Sequence, residues 1–330
     1  MSLQRDARYP GRWTAASGGH PQGAFKNRTA PGSLDGSYIE QDWANDWDGY
    51  FSSLLSAAGL TANGNVDAVG ASQYFDALNT LLSRVSPIPG ESRNLICSIT
   101  AANAVATFTA DYVTVLESST GKTYRRSAFN KTADISGTGV GKMDTGLAPV
   151  SGYVATYAIY NPTTNTDATL SIDATAAAAP LTYAGAFMPA GYTASALISV
   201  LPTDASRLFK VAYVSGRKMT VADVVALNTS AGLTLSLTSI ASAVPRNAIR
   251  VSGTLAAAST SGSGGVSTTI AGFSSGLGSQ STAGYSTSPN GCDTVFRDIP
   301  LATVQTIWVT TALAGPGTGL FTIKVREYEI

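Results

Sequence analysis

From Pro89 onward the chain is rich in small residues, poor in charge and patterned with a period of two. Alternation of apolar and polar residues is typical of strands that bury one face. Short strands separated by Gly, Pro and Asn turns favour antiparallel sandwiches and jelly rolls. We therefore predict a mainly β fold, in which an N-terminal extended arm and a short helical region precede antiparallel β-sandwich or jelly-roll-like domains.

The predicted strands are short and fairly evenly spaced along this β-region. They are Ala104–Ala110, Tyr112–Leu116, Thr123–Arg125, Val154–Tyr160, Leu170–Ile172, Ala196–Leu201, Leu208–Val214, Leu233–Leu237, Ile249–Leu255, Trp308–Val309 and Leu320–Val325. Residues 259–292 are dominated by Ser, Gly and Thr, and we predict long exposed loops there.

Composition argues against several functional classes. The formal net charge is zero, so no global field attracts nucleic acid or an anionic membrane. The uncharged run between Asp173 and Asp204 is interrupted by Pro and Gly, which argues against a membrane-spanning helix. The first residues lack the apolar stretch of a signal peptide. We expect a soluble protein that is made in a cytoplasm, binds no nucleic acid and inserts in no membrane.

Residues 1–37 are predicted to form an extended arm. Prolines and glycines prevent regular structure, and five basic residues face only two acidic ones. Large aromatic residues and arginines on a segment without its own core are typical anchors to another protein. The predicted attachment residues are Arg8, Tyr9, Arg12, Trp13, Phe25 and Lys26. The alternative is a loop that folds back on its own domain.

Residues 38–89 are predicted to form a two-helix oligomerisation region. Apolar residues recur at helical spacing over Ile39–Leu55, before a stop at Gly59, and again over Tyr74–Val85. Two helices of this length cannot bury both stripes against each other, so we predict packing against other copies of the chain. The predicted interface residues are Trp43, Trp47, Phe51, Leu54, Tyr74, Phe75, Leu78 and Leu82. The alternative is a helical hairpin packed on its own β-domain.

The sequence motifs predict no catalytic, cofactor-binding or metal-binding residues. The segment Gly272–Gly276 matches a serine-nucleophile pattern, but its base would have to be His20, the single histidine, which lies in the arm. One histidine cannot build a zinc site. Cys97 and Cys292 are too few for a disulfide framework, and we expect both to be reduced, buried thiols.

The enzymatic alternative is a glycan depolymerase, which would use two carboxylates on either side of a sugar bond. No recognisable pair exists, and several of the candidates lie beside turn residues. The carboxylates available in the β-region are Asp111, Asp134, Asp144, Asp167, Asp173, Asp204 and Asp223.

Six short segments resemble one family when taken in order. They are RYPGR (8–12), PQGAFKN (21–27), DWAND (42–46), GASQYFDAL (70–78), YAIYNPTT (157–164) and MPAGYTASAL (188–197). The first four resemble the N-terminal region of tail-fibre (receptor-binding) proteins of tailed bacteriophages and prophages. The last two resemble a domain found in the same class of protein.

The resemblance implies a homotrimeric virion protein that is made in the host cytoplasm. Its N-terminus would attach to a tail or baseplate protein through residues 1–37, and its distal end would adsorb to a glycan or protein of the host surface. The chain departs from the family in having no long repetitive shaft, which implies a compact fibre. Dimers stay open as an alternative to trimers.

We predict four regions: 1–37 for attachment, 38–89 for oligomerisation, and β-rich domains at 90–220 and 221–330. The exposed aromatic residues Phe273 and Tyr285 are the predicted receptor contacts, because flat apolar rings stack on sugars. The alternative functions are a non-adhesive baseplate or fibre-connector protein and, less favoured, the depolymerase.

Overall fold

The computed structural model describes residues 8–17, 23–37, 40–84, 88–287 and 291–330. The chain forms two compact units, Met1–Ser86 and Pro87–Ile330. The first contains helices α1 (Gln41–Ala58) and α2 (Gln73–Arg84), and the second is built of antiparallel strands. The predicted mainly β fold is confirmed.

The strands are numbered in chain order over the described residues. They are β1 Trp13–Thr14, β2 Ala24–Phe25, β3 Ser92–Arg93, β4 Ile96–Ile99, β5 Val105–Glu117, β6 Lys122–Asp134, β7 Tyr153–Asn161, β8 Thr166–Asp173, β9 Ala194–Pro202, β10 Ala212–Ser215, β11 Lys218–Thr229, β12 Leu233–Ser239, β13 Arg250–Ala271, β14 Gln280–Thr287, β15 Gly291–Pro300, β16 Thr306–Ala314 and β17 Gly317–Glu329.

Both helices have ends that local chemistry explains. Helix α1 stops at Gly59, which adopts φ 72° and donates its N–H to the carbonyl of Ser56. At the start of α2, the carboxylate of Asp67 accepts hydrogen bonds from the N–H groups of Gln73 and Tyr74. The predicted helices are confirmed over these spans, whereas Ile39 and Val85, at the outer ends of the predicted stripes, lie outside the described residues.

The helix pair has a small core of its own. Leu55, Ala58 and Ala77 are buried where α1 meets α2, and a few partly buried neighbours surround them. Three buried side chains account for little of the apolar surface that the two stripes carry. Much of each stripe therefore remains unburied within one chain.

The first half of the β unit centres on β5. Its residues pair with β6 over its whole length, from Val105 opposite Asp134 to Glu117 opposite Lys122. The predicted strands Ala104–Ala110 and Tyr112–Leu116 are thus one continuous strand. Next to β5 follow β9, β7 and β8, and every residue of β7 is buried. Burial on both faces explains why β7 carries no charge.

The segment after β6 closes this half into a ring. The N–H of Asp134, at the end of β6, donates to the carbonyl oxygen of Gly141 over 2.8 Å. The N–H of Gly141 in turn donates to the carbonyl oxygen of Thr169 in β8, also over 2.8 Å. The edges of β6 and β8 are therefore joined through one residue, which leaves neither strand edge open at this point.

The second half is a two-layered sandwich built on the 22-residue strand β13. Residues 250–258 of β13 pair with β15 and 250–262 with β17, whereas its second half pairs with β14 and β16. One strand thus belongs to both sheets. Leu255, Ile270 and Val309 are fully buried in the core of the unit.

The prediction of long loops over 259–292 is wrong for most of this segment. β13 runs to Ala271, and β14 and β15 occupy much of the remainder. In β13 small residues alternate between buried and partly exposed positions, because two sheets approach closely there. Serine, glycine and threonine predict loops by composition, whereas in β13 they belong to a strand that is paired with its neighbours.

Strand β11 links the two halves. It pairs with β10 on one side and β17 on the other, so the predicted boundary between residues 220 and 221 falls inside a strand. Residues Leu208–Val214 were predicted as a strand, and the strand begins only at Ala212.

Candidate functional site

The predicted attachment residues lie in a folded part of the first unit. Trp13 and Phe25 face each other across the short ladder of β1 and β2, with ring centroids 4.5 Å apart. Phe25 in turn contacts Trp43 of α1, edge to face, at 5.7 Å. The described part of the arm therefore contains a short two-stranded ladder, and its aromatic residues pack against α1 of its own chain.

The six attachment residues differ in burial and in their contacts. Tyr9 and Trp13 are buried within the unit. Phe25 is 55% exposed, and Arg8 has an exposed side chain that forms an ion pair with Asp42. Arg12 and Lys26 contact other residues of the arm. Arg12 lies within 3.5 Å of the Gly36 carbonyl oxygen, and Lys26 lies 3.9 Å from a carboxylate oxygen of Asp35.

A continuous row of aromatic rings joins the arm to both helices. Consecutive centroids lie 4.5 to 6.1 Å apart along the series Trp13, Phe25, Trp43, Trp47, Phe51 and Tyr74. Ring pairs of this kind contribute about 0.5–1.5 kcal/mol each beyond the area they bury. Trp43, Phe51 and Tyr74 of the predicted oligomer interface are thus engaged within the chain.

The other predicted interface residues divide between the chain's own core and its surface. Leu54 is partly buried against the core of the helix pair. Four of the predicted residues and one that the prediction missed, Tyr50, are 39 to 63% exposed. The exposed apolar face consists of Trp47, Tyr50, Phe75, Leu78 and Leu82. Large apolar side chains that stay exposed on two packed helices are candidates for an interaction site.

The two predicted receptor residues are both exposed but are not neighbours. Phe273 follows the end of β13 and is 39% exposed, and Tyr285, in β14, is 76% exposed. Tyr285 is paired with Gly265, six residues before Ala271. At about 3.3 Å per residue, roughly 20 Å of strand separates the two positions. They do not form one binding site.

The candidate depolymerase carboxylates are engaged in local structure. Asp111, Asp134, Asp167 and Asp223 form ion pairs with Arg93, Lys142, Arg126 and Arg326. Asp173 and Asp204 accept hydrogen bonds from backbone N–H groups within turns. Hydrogen bonds from Ser136 lower the pKa of Asp134, and the Arg326 guanidinium lowers that of Asp223. Asp144 accepts a hydrogen bond from the Tyr183 hydroxyl over 2.9 Å.

Two of these carboxylates line a common cavity. Asp144 and Asp173 both border a space of about 400 Å³ beside residues 177–180. The Tyr183 hydroxyl donates a hydrogen bond to Asp144, and the backbone N–H of Thr175 donates one to Asp173.

The cysteines differ in their surroundings. Cys97 is buried, and burial raises the pKa of its thiol to about 11. Cys292 is half-buried, with its Sγ 3.5 Å from the Ala257 carbonyl oxygen, so the prediction of full burial is wrong for this residue. Neither cysteine forms a disulfide.

In the part of the chain that the structure describes, no helix is both long and apolar enough to cross a membrane. Likewise, no three or more His, Cys, Asp or Glu residues there are grouped so that they could hold a metal ion.

No model of a known protein family matches the chain, and no curated protein matches it significantly.

Proposed function

We propose that this chain is a compact tail-fibre protein of a tailed bacteriophage or prophage, a structural virion protein that mediates adsorption to the host surface. The exposed apolar face on the two helices is the observation that carries the proposal. The separation of a small aromatic unit from a large β unit supports a division between assembly and binding. The order of the six family-like sequence segments supplies the biological setting.

The proposed assembly step is self-association of the helices into a homotrimer. Trp47 and Tyr50 are three residues apart on α1, and Phe75, Leu78 and Leu82 share one face of α2 at i, i+3 and i+7. A second and third copy of the chain would present the same face. Burying these side chains removes apolar surface from water at about 25 cal/mol per Å².

The proposed attachment to the tail or baseplate uses residues 1–37. Among the attachment residues predicted from sequence, Arg8 and Phe25 are the most accessible. Tyr9 and Trp13 act indirectly in this proposal, because they hold the arm against α1.

The proposed adsorption step belongs to the β unit, which binds a glycan or protein of the host surface. Several copies held together by the helices would make weak single contacts effective, because the second contact becomes intramolecular. The chain performs no chemistry in this proposal and needs no cofactor.

Two measurements on the full-length protein test the proposal. Light scattering after size-exclusion chromatography gives the copy number, for which we expect three. Fluorescently labelled protein should stain a host bacterium and should not stain resistant mutants that lack the surface receptor. A stable multimer that stains no host of a phage carrying this chain would refute adsorption and favour the connector function.

A further inference from the structure

A cavity of about 390 Å³ lies within the β unit, away from Phe273 and Tyr285. Its wall includes residues 151–153 at the start of β7, residues 221–224 of β11 and residues 241–243 after β12. The volume falls in the range of small-molecule sites, about 300–1,000 Å³. The cavity is therefore large enough for one sugar unit.

Two buried side chains that line the cavity have unused hydrogen-bonding capacity. Tyr153 is only 8% exposed, yet its hydroxyl has no hydrogen-bond partner in the described part of the chain. Burial raises the pKa of Tyr153, so the hydroxyl keeps its proton and can donate. Gln305 is also 8% exposed, and its Nε2 donates to the Val244 carbonyl oxygen over 2.8 Å. That bond orients the amide, and Oε1 accepts no hydrogen bond from any described residue.

The Tyr153 hydroxyl and the Gln305 Oε1 are not among the fully enclosed, unpartnered polar atoms of the described residues, so both keep access to solvent. A ligand rich in hydroxyl groups can accept from Tyr153 and donate to Gln305. The backbone of Tyr153 is fixed in place, since its N–H donates to the Thr175 hydroxyl over 3.0 Å.

The charged residues of the wall give the cavity a positive character. Lys210 and Arg246 both line it, and neither forms an ion pair within residues 8–17, 23–37, 40–84, 88–287 and 291–330. The acidic residue of the wall, Asp223, has one oxygen bonded to Nε of Arg326 and the other bonded to its terminal nitrogen. Its charge is therefore already neutralised, and two cationic groups remain for a ligand.

We propose that this cavity binds an anionic sugar unit, one that carries a carboxylate or phosphate group beside free hydroxyls. Arg246 and Lys210 bind the charged group, Tyr153 and Gln305 bind hydroxyls, and Val221 and Ala243 contribute an apolar wall for the C–H face of the ring. The proposal deepens the proposed function, since it names the chemistry of the host glycan. It also replaces Phe273 and Tyr285 as the receptor contacts.

The geometry favours a sugar over a nucleotide. Among the described residues, Tyr153 is the one aromatic residue of the cavity wall, and its side chain is buried. The wall therefore offers no exposed ring on which a base could stack. Two cations suit one carboxylate or phosphate monoester, since charged hydrogen bonds are the strong ones.

The test measures binding of three monosaccharides to the full-length protein by ligand-observed NMR titration. They are glucuronate, glucose 6-phosphate and glucose, which share a ring and differ in charge. We expect saturable binding of one or both anionic sugars and at least about tenfold weaker binding of glucose, because a charged hydrogen bond is lost. Comparison of the two anions tells whether the site takes a carboxylate or a phosphate.

Three variants assign the site. Lys210→Gln combined with Arg246→Gln should weaken anion binding about tenfold or more, and Tyr153→Phe should weaken binding of charged and neutral sugars alike. Arg250→Gln is the matched control, since Arg250 is exposed and lies outside the cavity wall. Thermal unfolding of each variant should stay near that of the parent protein, which excludes misfolding as the cause.

The outcomes separate this inference from the proposed function. Absence of saturable binding by either anionic sugar, or equal binding by the double variant and the Arg250 control, overturns the sugar site. Staining of host cells that survives in the double variant leaves adsorption intact while the sugar site fails. Sugar binding without staining of any host leaves the site intact while adsorption fails.

Discussion

Gly253→Ala tests the close approach of β13 and β17. A Cβ atom at Gly253 would lie 1.9 Å from the Lys324 carbonyl oxygen of β17 and 3.0 Å from a ring carbon of Phe296. Closely packed interiors have no room for this, so one strand must move by about 1 Å. The clash is with backbone, which no rotamer change relieves.

The expected loss of stability follows from this clash. Overpacking a core costs about 1–3 kcal/mol and occasionally more, and we expect the upper end because two paired strands must separate. In a domain of this size each 1 kcal/mol lowers the melting temperature by about 2–4 °C. The midpoint should therefore fall by about 6–12 °C, as followed by circular dichroism of the full-length protein.

Gly265→Ala is the matched control on the same strand. The nearest atom to its added methyl group would be the Ala314 Cβ at 3.8 Å, an ordinary contact. This change should alter stability by less than about 1 kcal/mol, in either direction. Equal melting temperatures for the two variants would refute the close approach of β13 and β17 at Gly253.

Three further predictions concern other parts of the molecule. Leu82→Ser should reduce the oligomer to smaller species in light scattering, because it removes an exposed side chain of the helix face, whereas Val66→Ser, in an exposed loop, should not. Tyr328→Phe should lower the free energy of unfolding by about 1–3 kcal/mol in urea titrations, because its buried hydroxyl donates to the Val200 carbonyl oxygen over 2.7 Å. At pH 8 iodoacetamide should alkylate Cys292 much faster than Cys97, as followed by mass spectrometry. The reason is that burial shields the Cys97 thiol and raises its pKa to about 11. Equal rates would contradict the burial of Cys97 in β4.

The helices and several strands were predictable because each has a local cause. Gly59 ends α1 through a backbone conformation that glycine adopts easily, and the apolar stripes follow the helical period. The segments Val154–Tyr160 and Ala196–Leu201 lie inside β7 and β9. Runs of this length, bounded by turn residues, are recognisable without any knowledge of their neighbours.

Other features depend on partners distant in sequence and so were missed. The Ser/Gly/Thr stretch forms strands because β13 is paired on both sides by segments that follow it in the chain. Tyr9 and Trp13 have the composition of exposed anchors, yet both are buried in the first unit, where the Trp13 ring packs at a tilt against Phe25. Composition describes what a residue can do, whereas its neighbours decide whether it is exposed.

The cavity residues illustrate the same limit more strongly. Tyr153, Lys210, Arg246 and Gln305 come from four separated segments, and none belongs to a recognisable motif. Lys210 and Arg246 are ordinary surface residues by sequence. Only the fold brings them to the same wall as two buried polar groups, so no spacing rule could have selected them.

The low charge of the β unit therefore needs a different interpretation from the one that composition invites. No Lys or Arg occurs from Met143 to Ser206. All of β7 and nearly all of β9 are buried on both faces, and buried strands exclude unpaired charge whatever the protein does. Charge depletion thus reflects packing. The charges that the proposed sugar site uses come after this stretch, because Lys210 and Arg246 border a cavity and have no acidic partner among the residues described.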